Sequence, residues 1–155
     1  MSECLSCKSN SGEKRISPGV TIHNGKYWVV EHAYPSGLLG WIVIVLKRHS
    51  EKLHELSNEE WNELAEIQFK IINILHKHLN TYKEYTCCFA TGEGFKHIHF
   101  HVIPISADYD EYYKGARAFH YLRESECEII PAEKVKVFCE VIKSEFGNYY
   151  WEIQQ

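Results

Sequence analysis

Positive charge is the first thing this chain has little of. Seventeen lysines and arginines against twenty-one acidic residues leave a formal net charge of −4 over 155 residues. Without a basic excess there is no electrostatic footprint for gripping a phosphate backbone or an anionic bilayer, so neither nucleic acid nor a membrane is the expected partner. Long apolar runs are also lacking. The longest uncharged one, residues 38–46, falls far short of the roughly 20 residues that span a bilayer, and the polar start Met1-Ser2-Glu3-Cys4 is no secretory signal. A cytoplasmic setting is therefore expected. No repeat or low-complexity tract is visible, which excludes solenoid and fibrous architectures.

Reactive side chains, by contrast, are plentiful: ten histidines and six cysteines. In a reducing compartment cysteines point to metal or catalysis before disulfides, and histidine is both a common metal ligand and a neutral-pH nucleophile or base.

At this length, and with 45% hydrophobic and 25% charged residues, the whole chain, 1–155, reads as one globular domain. Residues 1–19 are polar and read as a loop anchored by something other than apolar burial. Asn24-Gly25 between β-rich runs at 20–23 and 26–30 predicts a hairpin, because both turn residues tolerate φ > 0. The β-branched run 41–46 reads as a central strand buried on both faces. Ser57-Asn58-Glu59-Glu60 has capping-box spacing and opens a long helix whose stripe holds Trp61, Leu64, Ala65, Ile71, Ile72, Leu75 and Leu79 and which ends near Asn80. Strands are predicted over 85–90 and 97–105, joined by Thr91-Gly92-Glu93-Gly94. The aromatic, acidic segment 106–130 reads as a variable loop, and Pro131 opens a last helix carrying Val135, Phe138, Cys139, Ile142 and Phe146 on one face. The fold class is α+β: an antiparallel sheet of about five strands with a long helix and a C-terminal helix.

The most informative stretch is His97-Ile98-His99-Phe100-His101-Val102-Ile103-Pro104. Alternate side chains of a strand share a face, so three imidazoles line one side while Ile98, Phe100 and Val102 face the core. Solvated histidines are a poor account of such a face, since strands favour β-branched and aromatic residues there; a catalytic metal on the three rings is an alternative. Cys4-x-x-Cys7 by itself reads equally as a zinc half-site, a redox pair or coincidence. Cys87, Cys88, Cys127 and Cys139 read as small core residues. His23, His54, His76 and His78 read as solvated, and His32 and His120 lie in segments that could border a pocket.

The histidine block, with an apolar residue after each His, resembles the signature of the histidine triad (HIT) superfamily. Leu46-Lys47-Arg48-His49-Ser50, with the passage into the long helix that follows it, is similar to the same family, and the likeness covers about residues 20–105. The resemblance implies that His99 is the nucleophile, attacking the α-phosphorus of a small nucleotide to form a covalent nucleotidyl-histidine, with His101 contacting the phosphate and helping to manage protons. The activity implied is hydrolysis of, or transfer from, a nucleotide ester, amide or anhydride; the alternative is a nucleotide-binding protein that is catalytically weak or inactive. Some members carry an early Cys-x-x-Cys, which implies a structural zinc held by Cys4, Cys7, His49 and His97 and tethering residues 1–19. Family members often dimerise, and the aromatic tail Tyr149-Tyr150-Trp151 would serve such a contact or pack on the core.

Four positions depart from the family pattern. Trp41 stands where the nucleoside phosphoramidase branch commonly has a histidine, and Leu46 replaces its usual proline. Gly92-Glu93-Gly94, the expected substrate-phosphate region, replaces Gly-Gln-Ser, so a carboxylate stands near a phosphate while glycine-turn amides could replace the lost hydroxyl donor. Arg117 and Arg123 are candidates to offset the negative charge of a ligand.

Overall fold

The computed structural model describes residues 3–123 and 128–149. Ser57 opens the long helix α2, Asn58–Leu79, through the predicted capping box: its hydroxyl accepts from the Glu60 amide, and the Glu60 carboxylate accepts from the Ser57 amide. Asn80, left-handed at φ 49, closes it. The buried stripe is Leu64, Ile67, Ile71, Ile74 and Leu75. Trp61 and Ala65, predicted on that stripe, are exposed; Trp61 lies edge-on to Phe100, 6.0 Å between ring centres.

Five strands, β1 (His23–Asn24), β2 (Trp28–His32), β3 (Ile42–Leu46), β4 (Lys83–Cys87) and β5 (His99–Ile105), form one antiparallel sheet in the order β1-β2-β3-β5-β4. The hairpin sits where predicted, but its turn differs. Neither Asn24 nor Gly25 has positive φ; instead the Glu63 carboxylate of α2 accepts from the amides of Lys26, Tyr27 and Trp28. Gly25 is needed for that approach, since a Cβ there would lie 2.7 Å from a Glu63 oxygen. The residues predicted as a loop include a short helix α1, Leu5–Asn10, with the Cys4 sulfur accepting from the Cys7 amide at its start.

Register decides which residues share a face, because directly paired residues project to the same side. Trp28, Val30 and His32 pair through Ile42, Ile44 and Leu46 with Phe100 and Val102, and this side is covered by α2 and by α4, Ala132–Gly147, whose Val135, Cys139, Ile142 and Phe146 complete the main core. The opposite side carries Glu31, Val43, His101 and Cys87 in one cross-strand row and Val29, Val45 and His99 in the next. Strand β3 is therefore not buried symmetrically: Val43 and Val45 are only half-buried, because their side of the sheet opens on a cavity.

The segment after β5 folds back over that second face in 3-10 turns at Glu111–Tyr113 and Gly115–Phe119 and a helical turn α3, His120–Arg123. Tyr109, Ala118 and Phe119 are buried there with Trp41, Ile103 and Ile105 in a second apolar cluster. The hydrophobic effect thus fixes part of what the sequence presents as a loop. Among the described residues no helix is long and apolar enough to cross a membrane.

Candidate functional site

The sheet brings His99 and His101 to the edge of a cavity of about 410 Å³. Their rings stand edge to face with centres 5.0 Å apart. His97 does not join them in the strand. It precedes β5 in a bend, so the predicted row of three imidazoles is a row of two plus a neighbour engaged elsewhere.

Hydrogen bonds assign opposite tautomers to the two rings. His99 Nδ1 lies 2.6 Å from the carbonyl oxygen of His97; a carbonyl only accepts, so Nδ1 carries the proton and Nε2 the lone pair. For His101 the partner is the indole of Trp41, whose Nε1 lies 3.0 Å from His101 Nδ1. An indole N–H only donates, so Nδ1 is the acceptor and a neutral His101 carries its proton on Nε2.

His97 sits in a cluster with His49, Cys4 and Cys7, whose ligand atoms all lie within 4.8 Å of one another. Cys4 Sγ and Cys7 Sγ lie 3.5 and 3.4 Å from His97 Nδ1, and Cys7 Sγ lies 3.5 Å from His49 Nδ1. Zinc bonds of 2.0–2.3 Å in a tetrahedron give edges of about 3.3–3.8 Å, and these three separations fall in that range. His97 Nε2 donates to the Leu46 carbonyl at 2.6 Å, the outer-shell bond that leaves Nδ1 to a metal. Burial and the adjacent Cys4 push the Cys7 thiol up to about 11, and burial lowers the His97 pKa. Two thiolates side by side need a cation, and a neutral imidazole is the form that ligates one. These four residues could hold a metal ion, and they are the set that the family resemblance implies.

The cluster also shapes the cavity. Cys4 and Cys7 bracket the start of α1, and Ser6, Ser9, Asn10 and Ser17 of the N-terminal segment line one wall. Asn10 donates to the Leu46 carbonyl at 2.9 Å and the Leu5 amide to the Gly94 carbonyl at 2.8 Å. Gly92 and Glu93 line the cavity beside Thr91 and Phe95. Gly94, with φ +76 and a Cβ position 3.1 Å from Leu5, supports α1 instead.

Sequence reading missed the N-terminal wall, Phe89, Phe119 and Glu31. Glu31 was recoverable from the hairpin register, which sets it on the same face as His101. Its carboxylate accepts from Thr21 at 2.7 Å and from Arg15 at 3.1 Å; burial raises its pKa while these partners oppose the rise. His32 is buried, 1% exposed, with Nδ1 donating to the Ala33 carbonyl at 2.7 Å and Nε2 accepting from the Gly40 amide at 2.8 Å. Burial lowers its pKa to about 4. His23, predicted as solvated, is half-buried, its ring centre 4.4 Å from that of Phe146. His120 stacks on Tyr113 at 4.2 Å. Arg117 is exposed and lies over the Tyr112 ring, outside the cavity lining. The side chain of Arg123, and Cys127, Tyr150 and Trp151, lie outside the described residues; Tyr149 packs against the main core.

Residues 3–114 match the family described as scavenger mRNA decapping enzyme C-term binding. No curated protein sequence matches the chain. Among solved structures, it is similar to a hypothetical histidine triad nucleotide-binding protein from Sulfolobus tokodaii strain7, at 17% identity and TM-score 0.69, over 94% of this chain and 93% of that one. A Zn-bound histidine triad family protein from Mycobacterium smegmatis is similar at 14% identity and TM-score 0.64, over 94% of both chains. A Hit-like protein involved in cell-cycle regulation from Bartonella henselae, solved with an unknown ligand, aligns at 15% identity and TM-score 0.66, over 91% and 95%.

Proposed function

We propose, for a chain that belongs to the scavenger mRNA decapping enzyme C-terminal family and has the histidine triad fold, that it hydrolyses, or transfers from, a small nucleotide through a covalent nucleotidyl-histidine on His99. The observation that carries the reading is the pair of opposite tautomers at the cavity edge. With its proton held on Nδ1 by the His97 carbonyl, His99 has its lone pair on Nε2. That nitrogen attacks the α-phosphorus. A P–N bond forms, the bond to the leaving group breaks, and the electron pair departs with that group, which takes a proton from bulk water. The ring then carries a positive charge that the short bond to the carbonyl stabilises. A water then gives a proton to bulk solvent as its oxygen attacks the same phosphorus, the P–N bond breaks with its electron pair returning to Nε2, and the nucleoside monophosphate and neutral histidine are released. His101, with its proton on Nε2, donates to the phosphoryl oxygens.

The S2N2 cluster supports zinc as a structural metal, with Cys4, Cys7, His49 and His97 as its ligands. It would fasten the cavity wall formed by α1 and steady the bend that supplies the His97 carbonyl.

The test is incubation with a broad panel of nucleotide esters, amides and anhydrides, reading intact mass for a nucleotide adduct and solution for product. An adduct that disappears in His99→Ala is the expected result; absence of adduct and turnover across the panel overturns the reaction. One observation favours a second reading, binding without turnover: the described lining holds Glu31 and Glu93 but no lysine or arginine. Tight nucleotide binding in the same panel with no product identifies it.

A further inference from the structure

Trp41 stands where a branch of the superfamily commonly has a histidine, and its geometry gives it a task of its own. It is fully buried at the end of the loop entering β3, and its ring packs edge-on against Phe119 at 5.2 Å. Phe119 in turn stands edge-on to His101 at 4.9 Å. The His101 ring is thus held between an indole and a phenyl, one from the loop entering β3 and one from the segment folded back over the sheet.

An imidazole placed at position 41 could donate, accept or titrate. An indole can only donate and does not titrate. A protonated His101 would carry N–H at both nitrogens, and its Nδ1–H would confront the indole N–H, so charging the ring requires breaking this bond. The titratable groups on the same sheet face are His99 beside it on β5, Cys87, Tyr85 and Lys83 on β4, and Glu31 across β3 on β2. Cys87 is kept uncharged by burial and Glu31 is paired with Arg15.

We propose that Trp41 is a positioning residue for His101: its indole N–H, held in place by Phe119, fixes His101 as a neutral ring with its proton on Nε2, a standing hydrogen-bond donor to the anionic group bound in the cavity. His99 and His101 therefore divide the work by tautomer. The ring fixed by a carbonyl acceptor presents a lone pair, and the ring fixed by an indole donor presents a proton. Its kinetic consequence rests on the nucleotidyl-transfer reading; the tautomer assignment does not.

The experiment is a long-range proton–nitrogen correlation spectrum of 15N-labelled protein at neutral pH, recorded for the native chain and for Trp41→Phe, with kcat and KM on any turned-over nucleotide. The native His101 is expected as a single Nε2–H tautomer. In Trp41→Phe, which keeps a ring but removes the donor, the two tautomers should mix, and kcat should fall roughly 10- to 100-fold with KM little changed. A native His101 that is charged or protonated on Nδ1 overturns the proposal without any variant, which covers the case that Trp41→Phe does not fold. So does a folded Trp41→Phe with an unchanged tautomer and kcat. A native protein without turnover counts against the proposed reaction, and the spectrum then decides this proposal alone.

Discussion

His99 Nδ1 donates to the carbonyl oxygen of His97 at 2.6 Å, while the ring of His97 stands 3.4 and 3.5 Å from two cysteine sulfurs. One residue therefore faces two sites: its imidazole belongs to the S2N2 cluster and its backbone orients the neighbouring histidine. A metal ion held by that cluster would be coupled to the geometry of His99 through a single peptide unit.

Removing the metal should accordingly loosen both. Elemental analysis is expected to give one zinc per chain, lost in Cys4→Ser. The apo protein should melt about 10 °C lower, equivalent to about 3 kcal/mol for a domain of this size. Amides of α1 should exchange faster and nucleotide should bind more weakly, since Ser6, Ser9 and Asn10 of that helix line the cavity. A melting point and nucleotide affinity indifferent to chelation would show that the two sites are uncoupled.

His32 predicts an acid-side instability. Its folded pKa, about 4, lies below the ordinary 6.5, so below pH 6.5 the unfolded chain binds a proton that the folded one refuses. Stability should be fully present above pH 6.5 and decline as pH falls towards 4, by about 3 kcal/mol in all. His32→Gln, which does not titrate, should flatten that slope; urea unfolding at stepped pH measures it, and an equal slope in both proteins assigns the effect to other groups.

Glu63 and Gly25 should behave as one unit. Glu63→Ala removes three backbone hydrogen bonds to the hairpin turn and is expected to lower unfolding free energy by about 2 kcal/mol. Gly25→Ala pushes a Cβ into the same carboxylate and should cost about 1–2 kcal/mol. Because each change spoils the same contact, the double variant should lose less than the sum. Full additivity in denaturant titrations would contradict a shared contact.

Glu93 lines the cavity as an exposed carboxylate beside the candidate phosphate region. Glu93→Gln should tighten binding of a nucleoside monophosphate about two- to fivefold, the scale of one solvent-exposed charge interaction. Calorimetry reads this directly, and unchanged or weaker binding would move the phosphate away from this turn.

Elements whose signal is local were legible in the sequence. The capping box at Ser57 and Glu60, the stop at Asn80 and the pairing across Asn24-Gly25 each depend on neighbours a few residues apart. Even there, local chemistry yielded at one point: the Asn-Gly turn adopts no positive φ, and Glu63, 37 residues beyond Lys26, satisfies the amides of the three residues that follow the turn. The two-faced burial of β3 was misread for a similar reason. An alternation of isoleucine and valine does not tell a core face from a cavity face, since both are apolar.

The chemistry was legible through spacing. The two histidines of the cavity and the α+β class were readable from the sequence, and the four members of the Cys/His cluster followed from the family resemblance that the histidine block carries. Tertiary structure decided the rest. It drew His97 out of the strand toward the cysteines, coiled residues 5–10 into a cavity wall, and folded 109–119 over the second face of the sheet. Above all it chose the tautomers, since a proton's place on an imidazole is set by what its other nitrogen touches. For His99 that is a carbonyl two residues away, and for His101 it is an indole sixty residues away in the chain, a contact that only the register of β3 and β5 creates.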